Sequence, residues 1–316
     1  MLRTLIVFLL PTGVFGQAQF QFTTFTIPGA LTGEGSDIDN PGRVVGHFTT
    51  PAGDTRGFQR ETDGSLTYLT APGDLGNPFD TRANGLTFNG RVVGTFYDTA
   101  HQTNSGFLYA NGQYFTFNAP RQPPHAGTVL NALNERGDFC GYVQAPPQFN
   151  ATAFASENSQ VFYFNFPGAI STTCNAVNNE GLIAGTYVDR HGVSHGFTRT
   201  QAGLFQAIDL AAATTVVQQV LCTPEGNLQA GTEIRGLNDQ GVISGHYFVP
   251  ADQPGLNATH AFERLVNGTV WVIDVPGALQ TSGGGGINSF GQIAGHYDLD
   301  STCREALYIA TPATRP

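Results

Sequence analysis

The sequence predicts an all-β fold, a six-bladed β-propeller with four strands in each blade. Three observations lead to this prediction: a phrase that recurs six times, a composition rich in Gly and Phe, and an early strand that stands outside the repeat. Charged residues make up 12% of the 316-residue chain, which contains 40 Gly and 24 Phe. Such a composition favours strands over helices.

The repeated phrase is clearest at 286–297, which reads GINSFGQIAGHY. It recurs at 236–247 and 176–187, and more divergent copies lie at 132–142, 85–96 and 37–48. Each copy reads as the end of one strand, a tight turn with Asn and Gly, and an apolar strand closed by Gly. Because Asn and Gly tolerate positive φ, each copy predicts a β-hairpin.

The glycine that closes the phrase measures the repeat. It falls at intervals of 44 to 60 residues, at Gly46, Gly94, Gly141, Gly185, Gly245 and Gly295. Periods of this length are typical of propeller blades or solenoid units. After each phrase, the sequence predicts a third strand led by a small residue and an aromatic residue, as at 195–197, and a fourth strand after a turn. Several fourth strands end in Pro-Gly-Ala, where proline cannot continue a ladder.

The two ends of the chain predict closure of the ring. Residues 20–27 read as a fourth strand but precede any complete blade, and the last repeat stops after its third strand at Tyr308 and Ile309. The N-terminal strand is therefore expected to complete the last blade and leave no exposed edge. A solenoid would need capping repeats, which the sequence lacks. The longest departure from the repeat, 211–231, is expected on the face where the central pocket opens.

The N-terminus predicts a processing signal. Arg3, the apolar run 5–10 and the small residues near Gly16 predict a signal peptide over 1–18, followed by a single domain over 19–316. The alternative is a buried first strand. The apolar run is too short to span a bilayer, so we expect a protein secreted or held in the secretory-pathway lumen, with no membrane partner.

The net charge of the chain indicates which classes of partner it can bind. The chain carries 14 Lys and Arg against 24 Asp and Glu, a net charge of −10. Because a nucleic-acid backbone needs a basic face, no nucleic-acid partner is expected. The sequence carries no signal for an oligomeric state.

Cysteines and sequons fit the secretory prediction. Four cysteines allow three disulfide pairings. Cys222 and Cys303 lie in loops expected on one face, which predicts a bridge, whereas Cys140 and Cys174 lie in strands of neighbouring blades and could pair or stay as buried thiols. Three sequons predict glycosylation, at Asn150, Asn257 and Asn267.

The first strands of the blades supply candidate site residues, because first strands line the channel of a propeller. One position per blade gives Ser36, Asn84, Asn131, Asn175, Arg235 and Gly285, and two residues earlier stand Glu34, Arg82 and Glu233 among others. A ring of donors and acceptors around one pocket predicts substrate binding by Ser36, Asn84, Asn131, Asn175 and Glu233, with Arg82 and Arg235 as catalytic donors. The alternative is that these side chains hydrate the channel or tie the blades together.

Histidines occupy a second repeated position. His47, His246 and His296 follow the glycine that closes the phrase, and we take His246 and His296 as candidate acid–base groups. Repetition by blade equally favours a structural hydrogen bond. Equivalent positions on different blades are expected to lie apart, so no metal site is predicted, and no cofactor motif is present. Asp98, Asp189 and Asp298, which follow second strands, are expected to set turns.

The pattern Gly-Ile-Asn…Gly-x-Ile-x-Gly-x-Tyr…His-Ala-Phe resembles the HAF extracellular repeat, best at 236–262 and 286–297. That resemblance implies a secreted propeller and no particular activity. In length, signal peptide and organisation the chain also resembles the fungal hetero-Diels–Alderases of tropolone-sesquiterpenoid biosynthesis. This second resemblance implies a cofactor-free enzyme of secondary metabolism that joins a tropolone quinone methide to a humulene-type terpene, both small apolar or aromatic substrates. It carries no residue over, and the alternative is a non-catalytic extracellular module that binds a glycan or a protein.

Overall fold

The computed structural model of the chain describes residues 15–16, 20–74, 80–120, 123, 125–148, 150–224 and 226–313. The signal peptide predicted over 1–18 lies outside the described residues, apart from Phe15 and Gly16, which pair in parallel with Val270 and Trp271. Across these ranges no helix is long and apolar enough to cross a membrane.

The strands follow the predicted repeat. The N-terminal strands are β1 (Phe15–Gly16) and β2 (Phe20–Phe25). Blade 1 contains β3 (Thr32–Ile38), β4 (Val44–Thr49), β5 (Thr55–Arg60) and β6 (Leu66–Leu69). Blade 2 contains β7 (Thr81–Leu86), β8 (Val92–Asp98), β9 (Thr103–Ala110) and β10 (Gln113–Phe117). Blade 3 contains β11 (Gly127–Leu133), β12 (Phe139–Gln144), β13 (Ala151–Glu157) and β14 (Gln160–Phe164).

The second half of the chain continues the series. Blade 4 contains β15 (Ser171–Val177), β16 (Ile183–Val188), β17 (Ser194–Arg199) and β18 (Phe205–Ile208). The segment 211–231, called the insertion below, contains β19 (Gln218–Val220) and β20 (Leu228–Gln229). Blade 5 contains β21 (Thr232–Leu237), β22 (Ile243–Pro250), β23 (Leu256–Arg264) and β24 (Val270–Ile273). Blade 6 contains β25 (Gln280–Ile287), β26 (Ile293–Asp298) and β27 (Glu305–Pro312).

The predicted six-bladed β-propeller is confirmed, and so is its closure. Each blade is an antiparallel sheet; in blades 1 to 5 the four strands follow one another in sequence order, and in blade 6 the strands β25, β26 and β27 do so. Strand β2 pairs antiparallel with β27, from Phe20 opposite Pro312 to Phe25 opposite Leu307. The N-terminal strand therefore completes blade 6 and joins the two ends of the chain in one sheet, which leaves the ring without a gap.

Close packing explains the glycine that closes each phrase. A Cβ atom at Gly94 would lie 2.6 Å from the ring of Phe107, and one at Gly295 would lie 2.6 Å from the ring of Tyr308. The same third-strand position carries a ring exposed by 1% or less in every blade: Phe58, Phe107, Phe154, Phe197, Phe262 and Tyr308. The second strand must lack a side chain at this point because the ring of the third strand lies directly on its backbone.

The asparagine of the phrase joins neighbouring blades as well as forming the turn. The Oδ1 atom of Asn178 accepts the N–H groups of Glu180 and Leu182 within its own turn, and its Nδ2 atom donates to the carbonyl oxygen of Asn238 in the next blade. Equivalent interblade bonds run from Asn134, Asn238 and Asn288. The bond from Asn288 reaches the carbonyl oxygen of Asp39, so this ring of amides also spans the junction between blades 6 and 1.

Both predicted cysteine pairs are bonded. A disulfide joins Cys222 of the insertion to Cys303 in the loop after β26. A second disulfide joins Cys140 of blade 3 to Cys174 of blade 4, where both residues are fully buried. The alternative of two buried thiols is therefore wrong, and the second bond fastens two neighbouring blades at their cores.

Candidate functional site

The six first strands surround an axial channel, as the sequence predicted. At its centre lies a cavity of about 60 Å³ lined by Glu34 and by the predicted ring: Ser36, Asn84, Asn131, Asn175, Arg235 and Gly285. The channel has two ends, which differ in the loops that surround them. We call the end that carries the insertion the insertion face, and the end that carries the Asn-x-x-Gly turns the turn face.

The three asparagines of the ring tie blades together. The Nδ2 atoms of Asn84, Asn131 and Asn175 donate to the carbonyl oxygens of Leu130, Cys174 and Ile234, at 3.0, 2.9 and 2.7 Å. Each carbonyl belongs to the next blade. The structure thus gives these amide nitrogens an interblade role, the alternative to the predicted substrate contacts.

At the insertion face the channel widens into two lobes that share Glu34 and Arg235. The histidine lobe has a volume of about 200 Å³, and its lining includes His246, His296, Gln280, Asp298, Glu305 and the insertion residues Val220, Cys222, Thr223, Asn227 and Gln229. The arginine lobe has a volume of about 280 Å³ and is lined by His47, Asp80, Arg82, Val129 and Tyr142, among others. The insertion therefore forms part of the cavity wall, on the face where the sequence placed it.

Glu233 is the centre of a charged cluster in blade 5. Its Oε2 atom lies 3.0 Å from Arg235 Nη2 and 3.4 Å from His246 Nε2, and its Oε1 atom accepts a hydrogen bond from Ser194. Burial would raise the pKa of Glu233, but Arg235 and His246 lower it to about 2. His246 Nδ1 lies 2.6 Å from the Gly283 carbonyl oxygen, so both ring nitrogens face protein acceptors and the imidazole is held in one orientation.

Glu34 occupies the equivalent position in blade 1 but has fewer partners. Its Oε2 atom lies 3.8 Å from His47 Nε2, and 39% of its side chain is exposed to the channel. Burial would raise the pKa of Glu34, but the field of His47, His296, Arg235 and Arg82 lowers it to about 2. Burial also lowers the pKa of His47 to about 4. The carboxylate is thus ionised and His47 neutral near pH 7.

Two guanidinium groups stand in the open channel. The side chains of Arg82 and Arg235 are 49% and 41% exposed, although protein surrounds both. Burial would lower the pKa of Arg82, but Asp80 Oδ1, 2.8 Å from Nε, raises it. Glu233 likewise raises the pKa of Arg235 against the effect of burial. Both side chains remain cationic and keep donor groups that face the cavity.

Blade 6 supplies a wall that the sequence did not predict. Gln280 Nε2 donates to Asp298 Oδ2 at 2.6 Å and to the Leu221 carbonyl oxygen of the insertion at 2.8 Å. Burial raises the pKa of Asp298, which is 3% exposed. The expected turn role is confirmed for Asp98 and Asp189, whose Oδ1 atoms accept N–H groups of the following loops. It is wrong for Asp298, because its side chain accepts from Gln280 and lines the histidine lobe.

The predicted catalytic residues meet in this cavity. Arg235, His246 and His296 line the histidine lobe, and Arg82 and Arg235 line the arginine lobe. Lining residues that the sequence did not single out are Tyr142, Gln280 and Glu305, and Asp298 was expected only to set a turn. A sequence signal existed only for Tyr142, which replaces the histidine or threonine found at the same repeat position in other blades.

The turn face differs in character. Its cavity, about 130 Å³, is lined mainly by the turns and includes Asp37, which stands where the other blades have Gly or Ala. Asp37 Oδ2 accepts the N–H of Leu86 in blade 2, and burial raises the pKa of Asp37 to about 7. Asp37 thus links two blades.

The sequons occupy different environments. Asn150 and Asn267 are exposed, as a glycan acceptor requires. Asn257 is fully buried, and its Nδ2 atom donates to the carbonyl oxygens of Val216 and Gln229 at 2.8 and 2.7 Å. A glycan at Asn257 is incompatible with this packing, so the prediction of glycosylation there is corrected to a structural role.

Among the described residues, no group of three or more His, Cys, Asp or Glu side chains is arranged to hold a metal ion. The charged groups of the insertion face instead lie against partners of their own blade: Glu34 against His47, Arg82 against Asp80, and Glu233 against Arg235 and His246.

Comparisons with known proteins define the class of fold. No protein-family model matches the chain, and no curated protein matches it in sequence. A catalytically inactive variant of virginiamycin B lyase from Staphylococcus aureus is similar in structure, with 12% identity, a TM-score of 0.51, and coverage of 93% of this chain and 100% of that chain. A neuraminidase-like protein from A/bat/Guatemala/164/2009 has 12% identity and a TM-score of 0.51, covering 96% and 97%.

A lectin from Aleuria aurantia has 10% identity and a TM-score of 0.49, covering 90% of this chain and 97% of that chain. At these identities the likeness shows the fold alone. The two neighbours above a TM-score of 0.5, a lyase and a neuraminidase-like protein, carry different names, and the fold does not select a function.

Proposed function

We propose that this chain is a secreted, cofactor-free hetero-Diels–Alderase that couples a tropolone quinone methide to a humulene-type sesquiterpene. The observation that carries the proposal is the pair of exposed, cationic guanidinium groups of Arg82 and Arg235 in the cavity of the insertion face. The length of the chain, its predicted signal peptide and its single propeller domain resemble those of that enzyme family, which supports the same reaction. The two disulfides fit a protein that folds in an oxidising compartment.

The proposed reaction needs positioning more than a nucleophile. The carbonyl oxygen and exocyclic carbon of the quinone methide each bond to one carbon of a terpene double bond, so one C–O and one C–C bond form and no atom leaves. Holding both partners in a reacting pose converts a bimolecular step into a unimolecular one. The lobes are of small-molecule size, about 200 and 280 Å³, and both are lined by Arg235 and Glu34.

The arginines supply the electrostatic part of the proposal. Negative charge builds on the carbonyl oxygen of the heterodiene as the bonds form, and a fixed donor stabilises it. Arg235 is fixed by Glu233 and Arg82 by Asp80. His246, held by Glu233 and the Gly283 carbonyl oxygen, and His296 are acid–base helpers in this scheme.

A coupling assay tests the proposal. Purified protein is mixed with a humulene-type terpene and a quinone-methide precursor, and product is followed by chiral chromatography. We expect a faster rate and one stereoisomer, and a loss of about 10² in rate for Arg235→Ala because a charged donor is removed. Arg190→Ala, at an exposed loop residue, is the matched control and should keep the full rate.

Racemic product at the uncatalysed rate would rule out the enzyme. The second reading, an extracellular module for a glycan or protein, calls for a contiguous exposed aromatic patch. The most exposed aromatic residues described are Phe88, Phe115, Phe290 and Tyr68, and they are distributed over blades 1, 2 and 6. This scatter gives the binding module no specific support.

A further inference from the structure

Two glutamates at the same repeat position have different surroundings. Glu233 in blade 5 contacts Arg235, His246 and Ser194. Glu34 in blade 1 accepts no hydrogen bond from the residues that the structure describes, and the nearest ionisable nitrogen to its carboxylate is His47 Nε2 at 3.8 Å. The same element of the repeat thus produces one satisfied carboxylate and one whose oxygens remain available to a ligand.

Glu34 stands where the cavities join. It lines the central cavity, the histidine lobe and the arginine lobe. The groups that face it come from four blades: His47 of its own blade, Arg82 of blade 2, Arg235 of blade 5 and His296 of blade 6. An ionised carboxylate in an enclosed site is stabilised by hydrogen bonds that it accepts, and a ligand donor would supply one that the protein does not.

The two arginines require a hydrogen-bond acceptor on the ligand. Arg82 and Arg235 line the arginine lobe together with Glu34 and present donors only. A ligand that satisfies both kinds of group must carry a hydrogen-bond donor beside an acceptor. A hydroxyl group next to a carbonyl group on a flat ring meets this requirement.

We propose that Glu34 is a ligand-binding residue that accepts a hydrogen bond from the hydroxyl group of a hydroxy-carbonyl compound, while Arg82 and Arg235 donate to its carbonyl oxygen. The identity of the natural ligand as a tropolone rests on the proposed function. The requirement for a donor beside an acceptor rests on the three side chains that line this lobe, one carboxylate and two guanidinium groups.

Binding of two matched probes tests this inference. Tropolone carries the hydroxyl and carbonyl groups side by side, and its O-methyl ether lacks only the donor. Titration calorimetry is run in buffer acidic enough to keep the tropolone hydroxyl protonated. We expect the wild-type protein to bind tropolone at least about tenfold more tightly than the ether, since a hydrogen bond to a charged group is lost.

Variants assign the effect to Glu34. Glu34→Gln should weaken tropolone binding by about tenfold or more and leave the ether unchanged. Glu233→Gln is the matched control at the twin position: it should weaken both probes alike, because it loosens Arg235. Equal affinities of the wild-type protein for the two probes, or equal losses for both in Glu34→Gln, would overturn the inference, and the first result does not depend on the folding of any variant.

The coupling assay separates this inference from the proposed function. If tropolone binds more tightly than its ether but no coupling activity is found, the hydroxy-carbonyl site is supported and the proposed reaction is rejected. If Glu34→Gln couples the substrates at the wild-type rate and binds tropolone as the wild-type protein does, the role of Glu34 is rejected and the proposed reaction is still supported.

Discussion

At the scale of single residues, Glu233 illustrates how the site uses charge. Its carboxylate is 12% exposed and lies against Arg235 and His246, which together outweigh the cost of burial and lower its pKa from 4.5 to about 2. A carboxylate whose pKa is lowered by folding stabilises the folded state above its unfolded pKa. That contribution is lost as the pH falls through the folded value.

Glu233→Gln should therefore destabilise the protein in a pH-dependent way. We expect the free energy of unfolding to fall by about 2–3 kcal/mol at pH 7. The difference from the wild-type protein should shrink as the pH falls from 4.5 toward 2. This difference in the free energy of unfolding is measured by urea unfolding, followed by fluorescence, at several pH values.

Glu180→Gln provides the control for this experiment. Glu180 is an exposed residue of an Asn-x-x-Gly turn, so its substitution should change stability little at any pH. A loss of stability in Glu233→Gln that stays constant down to pH 2 would contradict the assigned charge cluster.

The sequence predicted which side chains face the channel wherever the repeat determines their position on a strand. Alignment of the repeats alone predicted that Arg82, Arg235, His246 and His296 face the channel, whereas Glu233 lies behind Arg235 and His246 and is not among the cavity-lining residues. The alignment did not predict which atoms were already paired. Hydrogen bonds from the channel asparagines to the next blade depend on the distance between blades, which no single repeat encodes.

At the scale of elements, the insertion is the part that shapes the cavity. Strand β19 pairs in parallel with β23, and the disulfide of Cys222 attaches the insertion to blade 6. Asn257 of β23 holds the two sides of the insertion through the carbonyl oxygens of Val216 and Gln229. The histidine lobe therefore keeps its wall through one covalent and several polar contacts.

Asn257→Ala should loosen this wall. Two buried carbonyl groups would lose their donor, at a cost of about 2–4 kcal/mol in the free energy of unfolding. We expect faster hydrogen exchange across 211–231, measured by mass spectrometry, with the other blades unchanged. Asn150→Ala, at an exposed sequon, is the control.

Unchanged exchange in Asn257→Ala, or a glycan found on Asn257 in the folded protein, would contradict this structural role. The sequence placed the insertion on the correct face because its position between blades fixes that. Its pairing with β23 was not predictable, since the segment has no copy elsewhere in the chain for comparison.

At the scale of the whole molecule, the site depends on the closed ring. Glu34 follows β2 near the start of the chain, whereas Glu305 belongs to the last strand, and its Oε2 atom accepts the N–H of Gly33 at 2.8 Å. The histidine lobe joins residues of blades 5, 6 and 1. The repeat and the two chain ends predicted the ring, but the shape of a cavity built from both ends of the chain needed the structure.

The most direct measurement is a crystal structure of the protein soaked with tropolone. We predict electron density for the ligand in the insertion-face cavity, with its carbonyl oxygen within hydrogen-bonding distance of Arg82 or Arg235 and its hydroxyl group at Glu34. Density in the turn-face cavity or on the outer surface of the blades, with the insertion-face cavity holding only water at saturating tropolone, would contradict the account.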